Sequence, residues 1–427
     1  MALAVYKPRD PSESPLFQLL ESLYDTVKGV WDERFESRYG FWRGRWDDVV
    51  ARYLDCGDWN VGFARVRCGQ CAEEFLVAFS CKERGLCPSC GAKRGAELGA
   101  FLADEVIEDV GHAQWVFTVP KMLRFFLFRQ RELLGDLSRL AYETVRELMA
   151  AAADDKTLCP GMVTVIQTFG ERLNPHPHLH ALVSRGGWTA SGEWIPVPYV
   201  DPKAAERLFQ HKLLRLLRRK ELLSQERLEL LLSWKHSGFS VHNDVRVAGG
   251  DTKALEALVR YMMRPAVSLA RLLLQPDRRE VLYFPKPGGH DGNAPGPERV
   301  DALEFVARVL AQIPEPRRHL VRYYAYYSNA ARGKRKKLGQ PAEAESSIAP
   351  EPTPSEVSSL RRRWAELIRR VYEVDPLVCP KCGAEMRVVG FITQPRVIRR
   401  ILDHLKKKAQ ATRAPPAHSS APGLAPA

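Results

Sequence analysis

The chain has 427 residues, and its 64 Lys and Arg residues exceed its 51 Asp and Glu residues, which gives a formal net charge of +13. This length exceeds that of one hydrophobic core, so we expect two or three domains. The charge favours a polyanionic partner but does not by itself distinguish DNA, RNA and an acidic membrane. The sequence contains neither a run of about 20 apolar residues nor an N-terminal signal peptide, which argues against a membrane partner and predicts a cytoplasmic protein.

The N-terminal part combines helices with cysteines. Residues 13–55 have the pattern of helices rich in aromatic and charged residues, and 56–90 contain six of the nine cysteines. CxxC pairs in a chain without an export signal indicate metal binding rather than disulfides. We predict a zinc-binding and DNA-binding domain over 1–111, with Arg84, Lys93 and Arg94 suited either to phosphate contacts or to a solvated face.

The zinc ligands are sought among these six cysteines. A CxxC pair offers two thiolates to one tetrahedral zinc ion. Buried free thiols are the alternative. The expected ligand set is Cys68, Cys71, Cys87 and Cys90, with Cys56 and Cys81 as further candidates.

A central domain over 112–300 is predicted to be α+β. Segments rich in β-branched and aromatic residues predict strands, and the apolar and basic segments between them predict helices, the last of which Pro265 should terminate. Strands interrupted by helices in this order indicate an antiparallel sheet with flanking helices. The predicted strands are 112–120, 162–169, 179–184 and 239–247, and the predicted helices cover 121–151, 203–233 and 251–264.

The remainder of the chain is divided by composition. A basic, Tyr-rich helical extension is expected over 301–338, a disordered linker over 339–359, a helix plus a CxxC unit over 360–408, and a disordered tail over 409–427. Cys379 and Cys382 supply only half of a zinc ligand set. A second zinc site there needs partners such as His404, Cys56 or another chain.

Three histidines alternate in the segment His176-Pro-His178-Leu-His180. Residues two apart on a strand share a face, so His178 and His180 can bind one ion while Leu179 points into the core. His176 lies at the strand entrance, where a ligand is harder to hold. The third ligand stays open between His242 and Gln167, and a polar sheet edge without metal is the alternative interpretation.

Tyr261 is the candidate nucleophile. It lies about 110° from the centre of the apolar stripe of its predicted helix, so its hydroxyl can reach a site above the sheet. Arg260 and Arg264 flank it with positive charge suited to a phosphate. Its competitors are Tyr323, Tyr324, Tyr326 and Tyr327.

The competing tyrosines lie in a basic segment that also contains Arg332, Lys334 and Arg335. Such a combination is typical of a surface on which single-stranded bases stack. Core packing of the aromatic rings explains the same pattern.

These motifs, together with Tyr261-Met-Met-Arg-Pro265, Arg318-His-Leu-Val-Arg-Tyr-Tyr324 and Asp375-Pro-Leu-Val-Cys-Pro-Lys-Cys382, resemble the rolling-circle transposases of bacterial insertion sequences. That family belongs to the HUH endonuclease superfamily and includes the common-region elements. The resemblance implies an HUH-type antiparallel sheet, with Mg²⁺ or Mn²⁺ at His178 and His180 and attack by Tyr261 on a single-stranded DNA phosphate. The products would be a 5′-phosphotyrosine and a free 3′-hydroxyl, and a 3′-hydroxyl of target DNA could reverse the step without ATP.

The resemblance also implies partners and alternatives. The partners would be insertion-sequence ends and target DNA in a bacterial nucleoid, and a homo-oligomer is compatible with this chemistry. The two-tyrosine members carry a second tyrosine four residues after the first, where this chain has Pro265, so it resembles a single-tyrosine variant. A rolling-circle replication initiator and a non-catalytic zinc-dependent DNA-binding regulator are the alternative functions.

Overall fold

The computed structural model describes residues 11–284, 296–338, 378–379 and 381–413. The chain forms two compact units: a larger one of Ser12–Leu54 and Lys82–Glu373, and a smaller one that joins Asp55–Cys81 to the segment from Val374 onward. The linker predicted at 339–359 and residues 414–427 of the tail predicted over 409–427 lie outside the described residues, whereas 409–413, predicted to be disordered, belong to the C-terminal helix. The predicted domain boundaries stay predictions.

Strands and helices are numbered in chain order. The strands are β1 (Phe63–Cys68), β2 (Glu74–Ala78), β3 (His112–Thr118), β4 (Gly161–Phe169), β5 (Pro175–Ser184), β6 (Gly186–Trp188), β7 (Trp194–Pro196), β8 (Ser240–Val247), β9 (Leu272–Gln275), β10 (Glu280–Tyr283), β11 (Glu298–Asp301), β12 (Val321–Ala325) and β13 (Met386–Ile392). The helices are α1 (Pro15–Gly29), α2 (Trp31–Arg34), α3 (Glu36–Tyr39), α4 (Arg45–Leu54), α5 (Pro88–Glu105), α6 (Lys121–Arg129), α7 (Leu133–Ala152), α8 (Pro202–Arg219), α9 (Gln225–Ser233), α10 (Thr252–Met262), α11 (Ala302–Ala311), α12 (Asn329–Leu338) and α13 (Pro395–Arg413). None of the helices in the described parts of the chain combines the length and the apolar character needed to span a membrane.

The larger unit is built on a five-stranded antiparallel sheet with the strand order β12-β4-β5-β3-β8. The predicted α+β class is therefore confirmed. The strands alternate their side chains between two covered faces, which explains why β4 and β5 are buried along most of their length. A three-stranded sheet of β9, β10 and β11 and the β6–β7 hairpin complete the strands of this unit.

Each face of the main sheet is covered by helices. Phe117, Ile166 and Leu179 point to one face and join a core with residues of α6, α7 and α8. Val165 and Leu182 point to the other face and pack with residues of α5 and α10. Because side chains alternate along a strand, the histidines of β5 lie on the face that α10 covers.

Helix α10 packs closely against α5 because α5 presents glycines to it. A Cβ atom at Gly95 would lie 3.3 Å from Cβ of Met263, and one at Gly99 would lie 3.4 Å from the Cα and carbonyl oxygen of Glu256. Asp251 caps the N-terminus of α10 by accepting a hydrogen bond from the N–H of Ala254. The cap and the glycine contacts therefore fix the helix that carries Tyr261.

Two predicted helical segments differ from the structure. The helix expected over 203–233 is interrupted between α8 and α9, where Glu221 has a positive φ of 57° and the hydroxyl of Ser224 begins a new helix by accepting from the N–H of Arg227. The helical extension expected over 301–338 contains a strand, β12, which pairs with β4 at the sheet edge. The β-branched and aromatic residues of Val321–Ala325 suit an edge position that only the folded sheet provides.

The smaller unit contains an antiparallel sheet with the order β13-β1-β2. Cys68 pairs with Met386 at one end of the β1–β13 ladder, and Phe63 pairs with Ile392 at the other. Val66, Cys68, Cys379 and Met386 are buried together as its core. Strands from distant parts of the sequence thus share one small hydrophobic cluster.

Candidate active site and zinc ligands

The histidine pair lies on the central strand β5. His178 and His180 are only 6% and 3% exposed, and their ring centroids are 5.0 Å apart. Leu179 between them is fully buried in the opposite core, as the strand periodicity predicts. The two imidazoles therefore share one side of the sheet under α10.

Hydrogen bonds orient both rings. His178 Nδ1 lies 2.7 Å from the carbonyl oxygen of His176, so Nδ1 donates and Nε2 keeps its lone pair. The side-chain amide of Gln114 lies 2.9 Å from His180 Nδ1, and its oxygen can accept from that nitrogen when the amide is turned over. Nε2 of His180 is buried without a hydrogen-bond partner. A metal ion would supply the missing partner of this nitrogen, so the two imidazoles are suited to bind a cation.

Burial also sets the charge of the rings. Desolvation lowers the pKa of His178 to about 4 and that of His180 to about 3, with further lowering of both from Arg264. Both imidazoles are therefore neutral near pH 7. The neutral ring is the form that binds a metal ion.

The structure places three candidates for the third ligand differently. Gln167 pairs with His178 across β4 and β5, its Nε2 donates to the carbonyl oxygen of Met262, and its Oε1 is buried without a partner. His242 is exposed on β8 and separated from His180 by β3. The rings of His176 and His178 are 5.0 Å apart, but the three histidines of β5 do not bring three nitrogens within 4.8 Å of one another. Gln167 Oε1 is the best placed of the three candidates.

Tyr261 lies beside the histidines. Its ring stands edge-on to that of His180, with centroids 5.7 Å apart, and its side chain is 38% exposed. The guanidinium of Arg264 lies 5.2 Å from the Tyr261 ring. A phenol, an imidazole pair and a cationic group thus surround one position that is open to solvent.

A cleft of about 380 Å³ adjoins this position. Gln167, Phe169 and Arg264 line it, together with residues from β12, from α5 and the segment before it, and from the segment after α11. Its further cationic residues are Arg84, Arg94, Arg131 and Arg318. A groove lined by arginines with aromatic rings suits a single nucleic-acid strand.

Three of the four competing tyrosines are engaged in packing. Tyr327 is fully buried and its hydroxyl lies 2.7 Å from His112 Nε2. Tyr326 stacks on Trp188 with centroids 3.5 Å apart, and Tyr324 donates to the hydroxyl of Ser138. These three residues therefore have the core-packing role, which was one of the two sequence interpretations of the segment.

Of the basic residues predicted to bind DNA, some pack against aromatic rings and others are exposed. The guanidinium of Arg335 lies 3.7 Å above the ring of Tyr326, and that of Arg332 lies 5.5 Å from the ring of Phe101. Lys334 and Arg260 are exposed to solvent. Arg335 therefore packs against the fold, whereas Lys334 and Arg260 are exposed and their DNA contacts stay predictions.

Four of the cysteines in the smaller unit form one group of thiols. Cys68 Sγ lies 3.6 Å from Cys382 Sγ, and Cys71 Sγ lies 3.4 Å from Cys379 Sγ. All four sulfur atoms lie within 4.8 Å of one another. The structure thus combines Cys68 and Cys71 with the C-terminal CxxC pair, whereas the sequence analysis had grouped them with Cys87 and Cys90.

The other four candidate thiols, Cys56, Cys81, Cys87 and Cys90, are divided between the two units. In the smaller unit, the N–H of Cys81 donates to Cys56 Sγ. In the larger unit, Cys87 precedes α5 and Cys90 lies in its first turn, and both are buried. Each pair offers two thiols suited to zinc.

Gln114 and the partners of Cys68 were missed by the sequence analysis. Gln114 is a polar residue in the otherwise apolar strand Ala113–Phe117, and this break in the pattern is a signal that could have found it. No sequence signal joins Cys68 to Cys382, because the two residues are 314 positions apart.

Two protein-family models match parts of the chain. Residues 161–335 match the family described as "Putative transposase", and residues 28–119 match the "Transposase zinc-binding domain". The first match includes the histidine strand, Tyr261 and β12. The second match includes six of the nine cysteines.

Named relatives agree with these families. The chain is 28% identical to "Transposase for insertion sequence element IS801" of Pseudomonas savastanoi pv. phaseolicola, over 81% of this chain and 84% of that protein. It is 27% identical to "Putative transposase y4qJ" of Sinorhizobium fredii, over 74% and 81% of the two chains. No solved structure matches the chain.

These matches show that the chain is a transposase. Within that class it is similar to the insertion-sequence transposases of the IS91 and IS801 type, which confirms the resemblance seen in the sequence. Its zinc-binding domain and its thiol groups support structural zinc. Its substrate is accordingly DNA.

Proposed function

We propose that this transposase nicks and rejoins single-stranded DNA at insertion-sequence ends through a 5′-phosphotyrosine on Tyr261. One observation carries the proposal: the ring of Tyr261 lies 5.7 Å from that of His180, beside Arg264 and above the central strand. The other four candidate tyrosines do not share this position, since three of them are engaged in packing and Tyr323 is half-buried on β12.

His178, His180 and Oε1 of Gln167 would hold a divalent cation, Mg²⁺ or Mn²⁺. When bound, such an ion withdraws charge from the scissile phosphate and makes the phosphorus easier to attack. Gln114 is a positioning residue in this scheme, because it fixes His180 through Nδ1 and directs Nε2 to the ion.

The protein residues account for the bond changes. The phenolic oxygen of Tyr261 loses its proton and forms a bond to phosphorus, and the bond from phosphorus to the 3′ oxygen breaks. That oxygen takes up a proton and leaves as a 3′-hydroxyl. Because one phosphoester replaces another, a 3′-hydroxyl of target DNA can attack the phosphotyrosine in the reverse sense, which is strand transfer.

The arginine cleft supports a single-stranded substrate. Arg84, Arg94 and Arg318 can contact successive phosphates that lead to Arg264 and the scissile position. Phe169 and Tyr323 lie in the same cleft and offer rings to unpaired bases.

The test uses a labelled oligonucleotide of the element's end, incubated with the full-length protein and Mn²⁺. We expect a covalent adduct that resists denaturation and that is lost in Tyr261→Phe and in His178→Ala. Tyr199→Phe is the matched control, because Tyr199 is an exposed tyrosine that does not line the cleft and should leave the adduct unchanged. An adduct that persists in Tyr261→Phe would refute the assignment, and DNA binding without any adduct would support a non-catalytic regulator.

A further inference from the structure

We propose that Cys68 and Cys71 bind one zinc ion together with Cys379 and Cys382, so that both ends of the sequence contribute to a single metal centre. The matched zinc-binding segment, 28–119, contains only half of this ligand set. The C-terminal CxxC pair, which the proposed nicking chemistry does not use, supplies the other half.

The distances fit a tetrahedral ion. Zinc bonded to sulfur at about 2.3 Å holds its four sulfurs about 3.8 Å apart in a tetrahedron. The sulfur atoms of Cys68 and Cys382 are 3.6 Å apart, and those of Cys71 and Cys379 are 3.4 Å apart. These values are too long for disulfides, and all four residues are free thiols. Four soft sulfur ligands select zinc over Mg²⁺ or Mn²⁺, which prefer oxygen.

The backbone conformation of each CxxC pair also favours metal binding. The N–H groups of Gln70 and Cys71 point at Cys68 Sγ at 3.4 and 3.5 Å. In the other pair, the N–H of Gly383 donates to the carbonyl oxygen of Cys379, and Gly383 has a positive φ of 73°. Each CxxC turn thus folds back on its first cysteine and presents both sulfurs on one side.

The sheet independently brings the two turns together. Cys68 ends β1 and pairs with Met386, while the N–H of Cys379 donates to the carbonyl oxygen of Ala384 just before β13. Cys379 is buried with Val66 and Met386 in one cluster. The ligands are therefore positioned by strand pairing and by apolar packing as well as by the ion.

The consequence concerns the chain as a whole. Cys71 and Cys379 are 308 positions apart, so this zinc ion closes a loop that contains the whole central domain predicted over 112–300. The zinc site cannot be complete in a chain that ends before Cys379. The C-terminal segment is thus a structural part of the zinc-binding domain and not an appendage to it.

Zinc content of the full-length protein tests the ligand set. Cys68→Ser/Cys71→Ser and Cys379→Ser/Cys382→Ser should each contain one zinc equivalent less than the wild type, and the quadruple variant should lose no more than either double variant. Cys159→Ser is the matched control, because Cys159 belongs to neither thiol group, and it should keep the wild-type content. Full zinc content in Cys379→Ser/Cys382→Ser would overturn the proposal.

A second measurement uses the wild-type protein and does not depend on whether the variants fold. The thiols are alkylated before and after a zinc chelator is added, and the modified cysteines are mapped by mass spectrometry. Cys382 is exposed, so it should react readily unless an ion holds it. We expect Cys382 and Cys68 to be protected together and to become reactive together. Modification of Cys382 in the zinc-loaded protein, with Cys68 still protected, would contradict the shared site.

The zinc readouts are separate from the nicking assay. Loss of the Tyr261 adduct does not bear on which thiols bind zinc, and an altered zinc content does not bear on the nucleophile.

Discussion

Gly95→Leu tests whether the contact between α5 and α10 positions the nucleophile. A Cβ at Gly95 would already lie 3.3 Å from Cβ of Met263 and 3.7 Å from Cα of Arg260, on the two sides of Tyr261 in the sequence. Leucine adds three more carbons to this space. Helix α10 must therefore move away from α5, and Tyr261 must move with it.

The expected magnitudes follow from this crowding. Overpacking of this kind costs about 1–3 kcal/mol. The better helix propensity of leucine offsets about 0.8 kcal/mol of that cost, so the net loss in the free energy of unfolding should reach at most about 2 kcal/mol. The variant should therefore still fold. A displacement of a reacting group by about 1 Å can lower the rate about 100-fold, so the loss of nicking should exceed the loss of stability.

The assay compares adduct formation with urea unfolding in the same preparations. Gly333→Leu is the matched control, because Gly333 also lies in a helix and has no atom within 4 Å of a built Cβ. This control should keep wild-type nicking. If Gly95→Leu formed the adduct as fast as Gly333→Leu, the contact with α5 would not be what positions α10 and Tyr261, and the reasoning would be refuted.

Three further predictions concern the larger unit. Burial lowers the pKa of His112 to about 4, whereas the same side chain in the unfolded chain takes up a proton near pH 6.5, so the folded state loses stability as the pH falls from 6.5 towards 4. At pH 5 the free energy of unfolding should be lower by about 2 kcal/mol. Urea titrations at pH 7 and pH 5 should show a smaller loss in His112→Gln. Arg335→Ala should lower the free energy of unfolding by about 1–2 kcal/mol because its contact with the Tyr326 ring is lost. Lys334→Ala, at an exposed neighbouring position, should change it by no more than about 0.5 kcal/mol in the same titration, and equal losses would contradict the structural role of Arg335. Arg94→Ala should weaken single-strand binding and reduce the slope of log K against log salt by about 0.7, and an unchanged slope would remove Arg94 from the strand path.

The sequence by itself determined the local chemistry of the site. Because side chains alternate along a strand, the order of His178, Leu179 and His180 was sufficient to place two imidazoles on one face and leucine on the other. The helical period was sufficient to place Tyr261 at the border of an apolar stripe. Both interpretations depend only on neighbours within a few residues, and the structure has the same arrangement.

The tertiary structure decided what depends on distant parts of the chain. Strand pairing brings Cys379 and Cys382 to Cys68 and Cys71, and no local rule could choose these partners over Cys87 and Cys90. Likewise, the segment Val321–Ala325 became a strand because the edge of β4 was available to accept its hydrogen bonds. Local periodicity is a property of adjacent residues, whereas ligand sets and sheet edges are formed only when segments hundreds of residues apart are packed together.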